Sequence, residues 1–464
     1  MIRTVLAALA AALILAAPAA ASRFEPGAPG LGDPFFPLAG NGGYDVKHYA
    51  LDLEYVPATN QLDGRATIFA RAKQNLSRFN LDLRGYDIAE LEVNGRDARF
   101  ERDGQELTVI PRHGLIRGRP FVVRVEYSGQ PEAVVDPDGS LEGWVPTDDG
   151  AFVVNEPQGS PGWYPANDNP QDKATFSFEI TVPKGITAIA NGRLLSKRTH
   201  RGTTTWRWLE DSPMAPYLAT ATNGVFDLRI SKAGRIPLYQ AVDPKVGNPA
   251  LSFERLSAEA EIIEFFSDLY GKYPFSSGGG VVDNGGVGYA LESQTKSMYD
   301  VMFNPNGAPG ASTVVHEVSH QWLGNAVTLA VWPDIWLNEG FARFSEWIYA
   351  ENHGGISAHQ AFLNAFNARP ATSSFWTNPP AALPGPEVLF SSPPYDRGGM
   401  TLQALREKIG DDDFFRLLRR WYAKYRYDNV TTADFIALAE RTSRMQLDEF
   451  FDVWLYQPVK PTTW

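Results

Sequence analysis

Between about Tyr44 and Phe226 the hydrophobic positions recur roughly every second residue. His48-Tyr49-Ala50-Leu51-Asp52-Leu53-Glu54-Tyr55 alternates in this way. So do Phe121 to Tyr127 and Thr175 to Val182, and Gly, Pro, Asn and Asp lie between such runs. Alternation turns one face of a strand to a core and the other to water, so this stretch predicts an all-β domain. Past residue 227 the period changes. Glu254 to Tyr270, Asp411 to Tyr425, Thr432 to Arg441 and Leu447 to Leu455 repeat their apolar positions at helical spacing. Asp411-Asp412-Asp413 places negative charge at a helix start, where the helix macrodipole favours it. The Gly-rich stretch from Gly278 to Leu291 reads as an edge strand and loop, and Gly30 to Gly43 reads as a linker or an ordered arm. The pattern predicts a multi-domain α+β chain, with an all-β domain over 44–226 and a mainly helical domain over 227–464. An arm over 22–43 and a leader over 1–21 precede them.

The leader has Arg3, an apolar run from Val5 to Ala17, and Ala19-Ala20-Ala21 before Ser22. That is the plan of a signal peptide cleaved near Ser22, with a retained anchor as the other reading. No later stretch is long and apolar enough to span a bilayer. The expected location is therefore secreted or periplasmic. A chain of 464 residues can hold two or three domains with large cores. Its net charge of −12 argues against a nucleic-acid partner. With no cysteine, thiol nucleophiles and thiolate metal sites are excluded, so any metal must be held by His, Asp or Glu.

His316-Glu317-Val318-Ser319-His320 supplies such ligands. Residues four apart share a helix face, so His316 and His320 can address one ion. Glu339 follows His320 after eighteen intervening residues, in Trp336-Leu337-Asn338-Glu339-Gly340, and can arrive from a second helix. Three protein ligands with one open position is the rule for a catalytic zinc, so one zinc ion is expected. Glu317, beside the first ligand, is the candidate general base. Ser312 is the expected N-cap of the first helix and Gly324 its expected stop.

With these residues the chain resembles the aminopeptidase N family of zinc metallopeptidases, gluzincins in which HExxH is followed by eighteen residues and Glu. Tyr289-Ala290-Leu291-Glu292-Ser293 is similar to the family's Gly-x-Met-Glu-Asn exopeptidase motif, with Tyr289 and Ser293 as departures. Tyr395-Asp396-Arg397-Gly398 is similar to its Tyr-x-Lys-Gly segment. Glu156-Pro157-Gln158-Gly159 is similar to the N-terminal-domain loop that reaches the active site. The resemblance implies a saddle-like β domain followed by a thermolysin-like zinc-peptidase domain. It implies Tyr395 as the oxyanion donor and Glu292 as the anchor for a substrate's free α-ammonium, with Gln158 adding a carbonyl oxygen. Asp334 is a candidate to orient a ligand histidine, with a cap or loop carboxylate as the other reading. Larger members continue into a β-sandwich and a helical cap, so the chain reads as a short form. The expected function is an exported zinc aminopeptidase acting on peptides with a free N-terminus. A leukotriene-hydrolase-like or endopeptidase activity at the same site, or a silent peptide-binding relative, is the alternative.

Overall fold

The computed structural model describes residues 23–464, and the leader lies outside the described residues. The alternating runs form a seven-stranded sheet. In spatial order its strands are Arg193–His200, Thr203–Met214, Ala174–Pro183, Tyr44–Val56, Gln61–Ala72, Pro120–Gly129 and Asp87–Val93. Neighbours are antiparallel except Ala174–Pro183, which runs parallel to Tyr44–Val56. Along Ala174–Pro183 every second residue is buried, as the period-2 pattern requires. The opposite face carries ion pairs such as Arg65–Glu126 at 2.8 Å.

Two smaller sheets share the core of this large one. One pairs Leu76–Asp82 with Glu106–Ile110, and the other pairs Leu141–Pro146 with Ala151–Val154. Tyr44 meets Phe79 edge-on at 5.5 Å, and Tyr55 meets Trp144 at 4.9 Å. The second of these sheets positions the site, because its last strand leads directly into the Glu156 loop.

The second half opens with a five-stranded sheet ordered Asp227–Ala233, Ile236–Val242, Gly278–Asp283, Ser297–Asp300, Ala290–Leu291. Gly278–Asp283 is the middle strand, fully buried and paired on both sides, and not the edge strand expected from its glycines. Those glycines serve close approach. A Cβ on Gly280 would meet Tyr299 at 2.8 Å and Leu256 at 2.9 Å. The helical pattern expected over Glu254–Tyr270 is two helices, Pro249–Ser257 and Glu259–Tyr270, separated at Ala258.

Helices Ala311–Ser319, Trp336–Asn352, Ala358–Asn367, Gly398–Ile409, Asp411–Tyr425 and Thr432–Ser443 follow. They enclose a second core that includes Trp322, Trp336, Phe341, Phe435 and Trp454. The chain is thus a β-rich N-terminal domain followed by a mainly helical domain. Over the described residues 23–43 the arm is ordered and packs against the helical domain. Its Asp33 accepts a hydrogen bond from the Trp332 backbone at 2.7 Å, and Phe36 packs edge-on against the Trp332 ring. No helix among the described residues is long and apolar enough to cross a membrane.

Candidate active site

Helix Ala311–Ser319 buries Val314, Val315 and Val318 and presents His316 to a cavity of roughly 260 Å³. His320 follows as its C-cap and donates its backbone N–H to the His316 carbonyl at 3.2 Å, which keeps it on the same face. The caps differ from expectation. Gly310 is the N-cap, and Ser312 lies inside the helix and lines the cavity. The helix ends at Ser319, ahead of Gly324. That glycine, at φ +140°, gives room to a ligand: a Cβ there would come within 2.8 Å of His320 Nδ1.

Glu339 comes from the first turn of helix Trp336–Asn352. One ligand atom each from His316, His320 and Glu339 lie within 4.8 Å of one another, all three residues being buried. Glu339 Oε2 is 3.0 Å from His316 Nε2 and 3.5 Å from His320 Nε2. The other ring nitrogens are engaged. His316 Nδ1 is 2.7 Å from Glu346 Oε1, and His320 Nδ1 is 3.3 Å from the Leu323 carbonyl. Nδ1–H donation to these acceptors orients both rings so that Nε2 of each faces Glu339. Glu346 is itself held by Arg343 at 2.8 Å.

The donor set fits a divalent cation. Four buried carboxylates, Glu156, Glu292, Glu317 and Glu339, surround the two histidines. Burial alone would raise the Glu339 carboxyl, but the charge on His320 and the hydrogen bond from His316 outweigh it and hold it low. Burial pushes Glu317 up to about 8, against the opposing pull of the two histidines.

Tyr395 lies on the turn Pro393–Arg397, its ring stacked on His316 with centroids 5.9 Å apart. Burial, reinforced by Glu339, raises its phenol far above the ordinary value, so it remains a hydrogen-bond donor. The turn is pinned from below. Arg397 is fully buried and donates to the carbonyls of Trp454, Trp376, Val453 and Gln457. Gly340 and Gly398 let the two helices meet backbone to backbone, since a Cβ on Gly340 would reach Gly398 Cα at 2.8 Å.

Glu292 enters the cavity from the loop after strand Ala290–Leu291. Its carbonyl accepts from Gln321 at 3.1 Å and from Asn325 at 2.7 Å, which locks this loop to the end of the metal-site helix. Glu292 Oε1 is buried with no hydrogen-bond partner among the described residues. The same is true of Glu156 Oε1.

Two expected site residues lie elsewhere. Gln158 does not line the cavity. Its backbone N–H donates to Glu142 and its side chain to Asp136 at 3.3 Å. Glu156, two residues earlier in the same loop, occupies the cavity instead. A carboxylate in that loop is the stronger partner for an ammonium, and that chemistry was the available signal. Asp334 does not touch a histidine. Its carboxylate accepts from the Thr432 backbone at 3.2 Å and the Thr432 hydroxyl at 2.5 Å, fixing the start of helix Thr432–Ser443. Glu346 takes the histidine-orienting position. It lies seven residues past Glu339 on the same helix, a spacing that returns near the same face.

The β-rich part matches the Peptidase M1 N-terminal domain over residues 45–218, and the helical part matches the Peptidase family M1 domain over 295–454. The chain is 28% identical over 342 residues to glutamyl aminopeptidase of Homo sapiens, covering 69% of this chain and 35% of that protein. It is 27% identical over 331 residues to aminopeptidase N of Lactococcus lactis subsp. lactis, covering 64% and 38%. It therefore spans well under half the length of these two relatives. The M1 zinc metallopeptidase from Deinococcus radiodurans superposes with a TM-score of 0.83 at 28% identity, covering 93% of this chain and 98% of that one. The chain belongs to peptidase family M1, whose solved members include zinc metallopeptidases.

Proposed function

We propose that this protein is an exported zinc-dependent aminopeptidase that removes the N-terminal residue from peptides. The carrying observation is the pairing of the His316, His320, Glu339 group with the two orphaned carboxylates of Glu156 and Glu292 in one cavity. A zinc ion held by the group supplies Lewis acidity toward a peptide carbonyl. Glu317 takes the proton of the attacking water and passes it to the leaving amine. Tyr395 donates a hydrogen bond to the oxygen that becomes negative as the carbonyl turns tetrahedral. Glu292 and Glu156 accept hydrogen bonds from the substrate's α-ammonium and so set the register at the first peptide bond. The relative from Deinococcus radiodurans has been crystallised in a mutant form with a Tyr-Ser-Ala substrate, which is consistent with this reading. Export rests on the leader, and a protein whose first residue is near Ser22 in an extracytoplasmic fraction would support it.

Hydrolysis of an aminoacyl chromophore that is abolished by a chelator and restored by zinc is the direct test. Absence of turnover with zinc bound would point to a silent peptide-binding protein.

His320→Ala and Glu339→Ala each remove one of three ligands, so both variants are expected to lose their metal. Metal analysis after dialysis checks this, and wild-type zinc content in either would contradict the ligand set. Glu346→Ala leaves the ligands in place but frees the His316 ring. Loss of such an outer partner typically weakens metal binding about 10–100-fold, measurable by competition with a chelating dye. Unchanged affinity would show that Glu346 does not orient His316.

A further inference from the structure

A second cavity of roughly 200 Å³ opens beside the first and shares the walls formed by Glu156, Tyr289 and Tyr395. Its remaining lining includes Phe390 and, from the turn before strand Leu141–Pro146, Asp138 and Ser140. Among the described residues, no Lys or Arg lines it. The turn is built to hold its shape. Asp136 N–H donates to the Ser140 carbonyl at 3.0 Å, and Gly139 N–H to the Asp136 carbonyl at 2.8 Å. The Ser140 backbone and hydroxyl both donate to one oxygen of Asp138, at 2.9 and 2.7 Å. The Tyr289 hydroxyl donates to the Leu141 carbonyl at 2.8 Å and ties the shared wall to this turn.

We infer that this second cavity receives the side chain of the substrate's first residue, and that Asp138 makes it favour cationic side chains, arginine or lysine, over acidic ones. The inference rests on the aminopeptidase reading above. If Glu156 holds the α-ammonium, the neighbouring space beyond the Glu156–Tyr289 wall is where the adjoining side chain goes. The rings of Phe390 and Tyr289 cover the methylenes of a long side chain, and a cation can rest against them. Asp138 meets its charged end at the exposed mouth. An acidic side chain would face Glu156 at one end and Asp138 at the other, with no basic residue between them.

The test uses zinc-loaded full-length protein in two assays. In the first, argininamide and leucinamide binding to the Glu317→Gln protein is measured by calorimetry, with and without Asp138→Asn. Asp138 is exposed, so its ion pair is worth modest energy, and the ratio of argininamide to leucinamide affinity is expected to fall about three- to fivefold. In the second, kcat/KM on arginyl, leucyl and glutamyl 4-nitroanilides is compared for wild type and Asp138→Asn. The arginyl-to-glutamyl ratio should fall by at least the same factor. Ratios unmoved by Asp138→Asn, or a wild type that turns over glutamyl as well as arginyl substrate, would overturn the inference. Binding that responds to Asp138 without turnover of any substrate would sustain the pocket and overturn the aminopeptidase reading instead.

Discussion

Glu317→Gln is expected to lower kcat by about 10²–10⁴-fold while the zinc content stays at the wild-type level. The substitution keeps the volume and one acceptor oxygen but removes the ability to take a proton. The three ligands His316, His320 and Glu339 are all retained in this variant. The size of the effect follows from the environment. Glu317 is 5% exposed and lines the cavity beside the ligand group, where its carboxylate is placed to take the proton of the attacking water. Activity within a few-fold of wild type, with zinc bound, would remove Glu317 from the mechanism.

Tyr395→Phe is the second large effect. Loss of one oxyanion donor typically costs about 10²–10³-fold in kcat, and KM should change little. The stacking of Tyr395 on His316 places the phenol beside the ligand group, and the loss of its hydroxyl leaves that stack intact. The turn beneath is fixed by the four carbonyl contacts of Arg397, so the ring has no reason to move. The charge it stabilises exists only near the transition state. An effect confined to KM would place the hydroxyl in ground-state binding.

Much of this arrangement is legible in the sequence. Period-2 alternation marked strand Ala174–Pro183, and helical periodicity marked Asp411–Tyr425, because in each case burial of one face is a local property of the pattern. The pattern places Gly278–Asp283 at a sheet edge because glycines weaken an isolated strand. Here they admit Tyr299, Leu256 and Tyr239 to contact distance, which is a tertiary fact. The ligand group was readable because a helix fixes the i, i+4 relation of His316 and His320.

The residues that hold the site were harder to read. Asp334 and Glu346 are both carboxylates near Glu339, and only the packing decides that Asp334 meets Thr432 and Glu346 meets His316. Gln158 and Glu156 are two positions apart in a loop with no regular period. Which one enters the cavity depends on Glu142 and Asp136 gripping Gln158 from behind.

On the proposed reading, Glu292 and Glu156 make this site an exopeptidase by holding a free α-ammonium. Both carboxylates are buried, and Oε1 of each lacks a hydrogen-bond partner among the described residues, so a neutral acetylated terminus would leave them unpaired at a cost of about 1–3 kcal/mol or more. The most direct measurement is kcat/KM on one peptide with a free and with an acetylated N-terminus, for wild type and Glu292→Ala. The free peptide should be the better substrate by at least about tenfold, and Glu292→Ala should lose most of that activity and much of the preference. Equal cleavage of free and blocked peptide by the wild type would contradict the account and assign an endopeptidase to the same site.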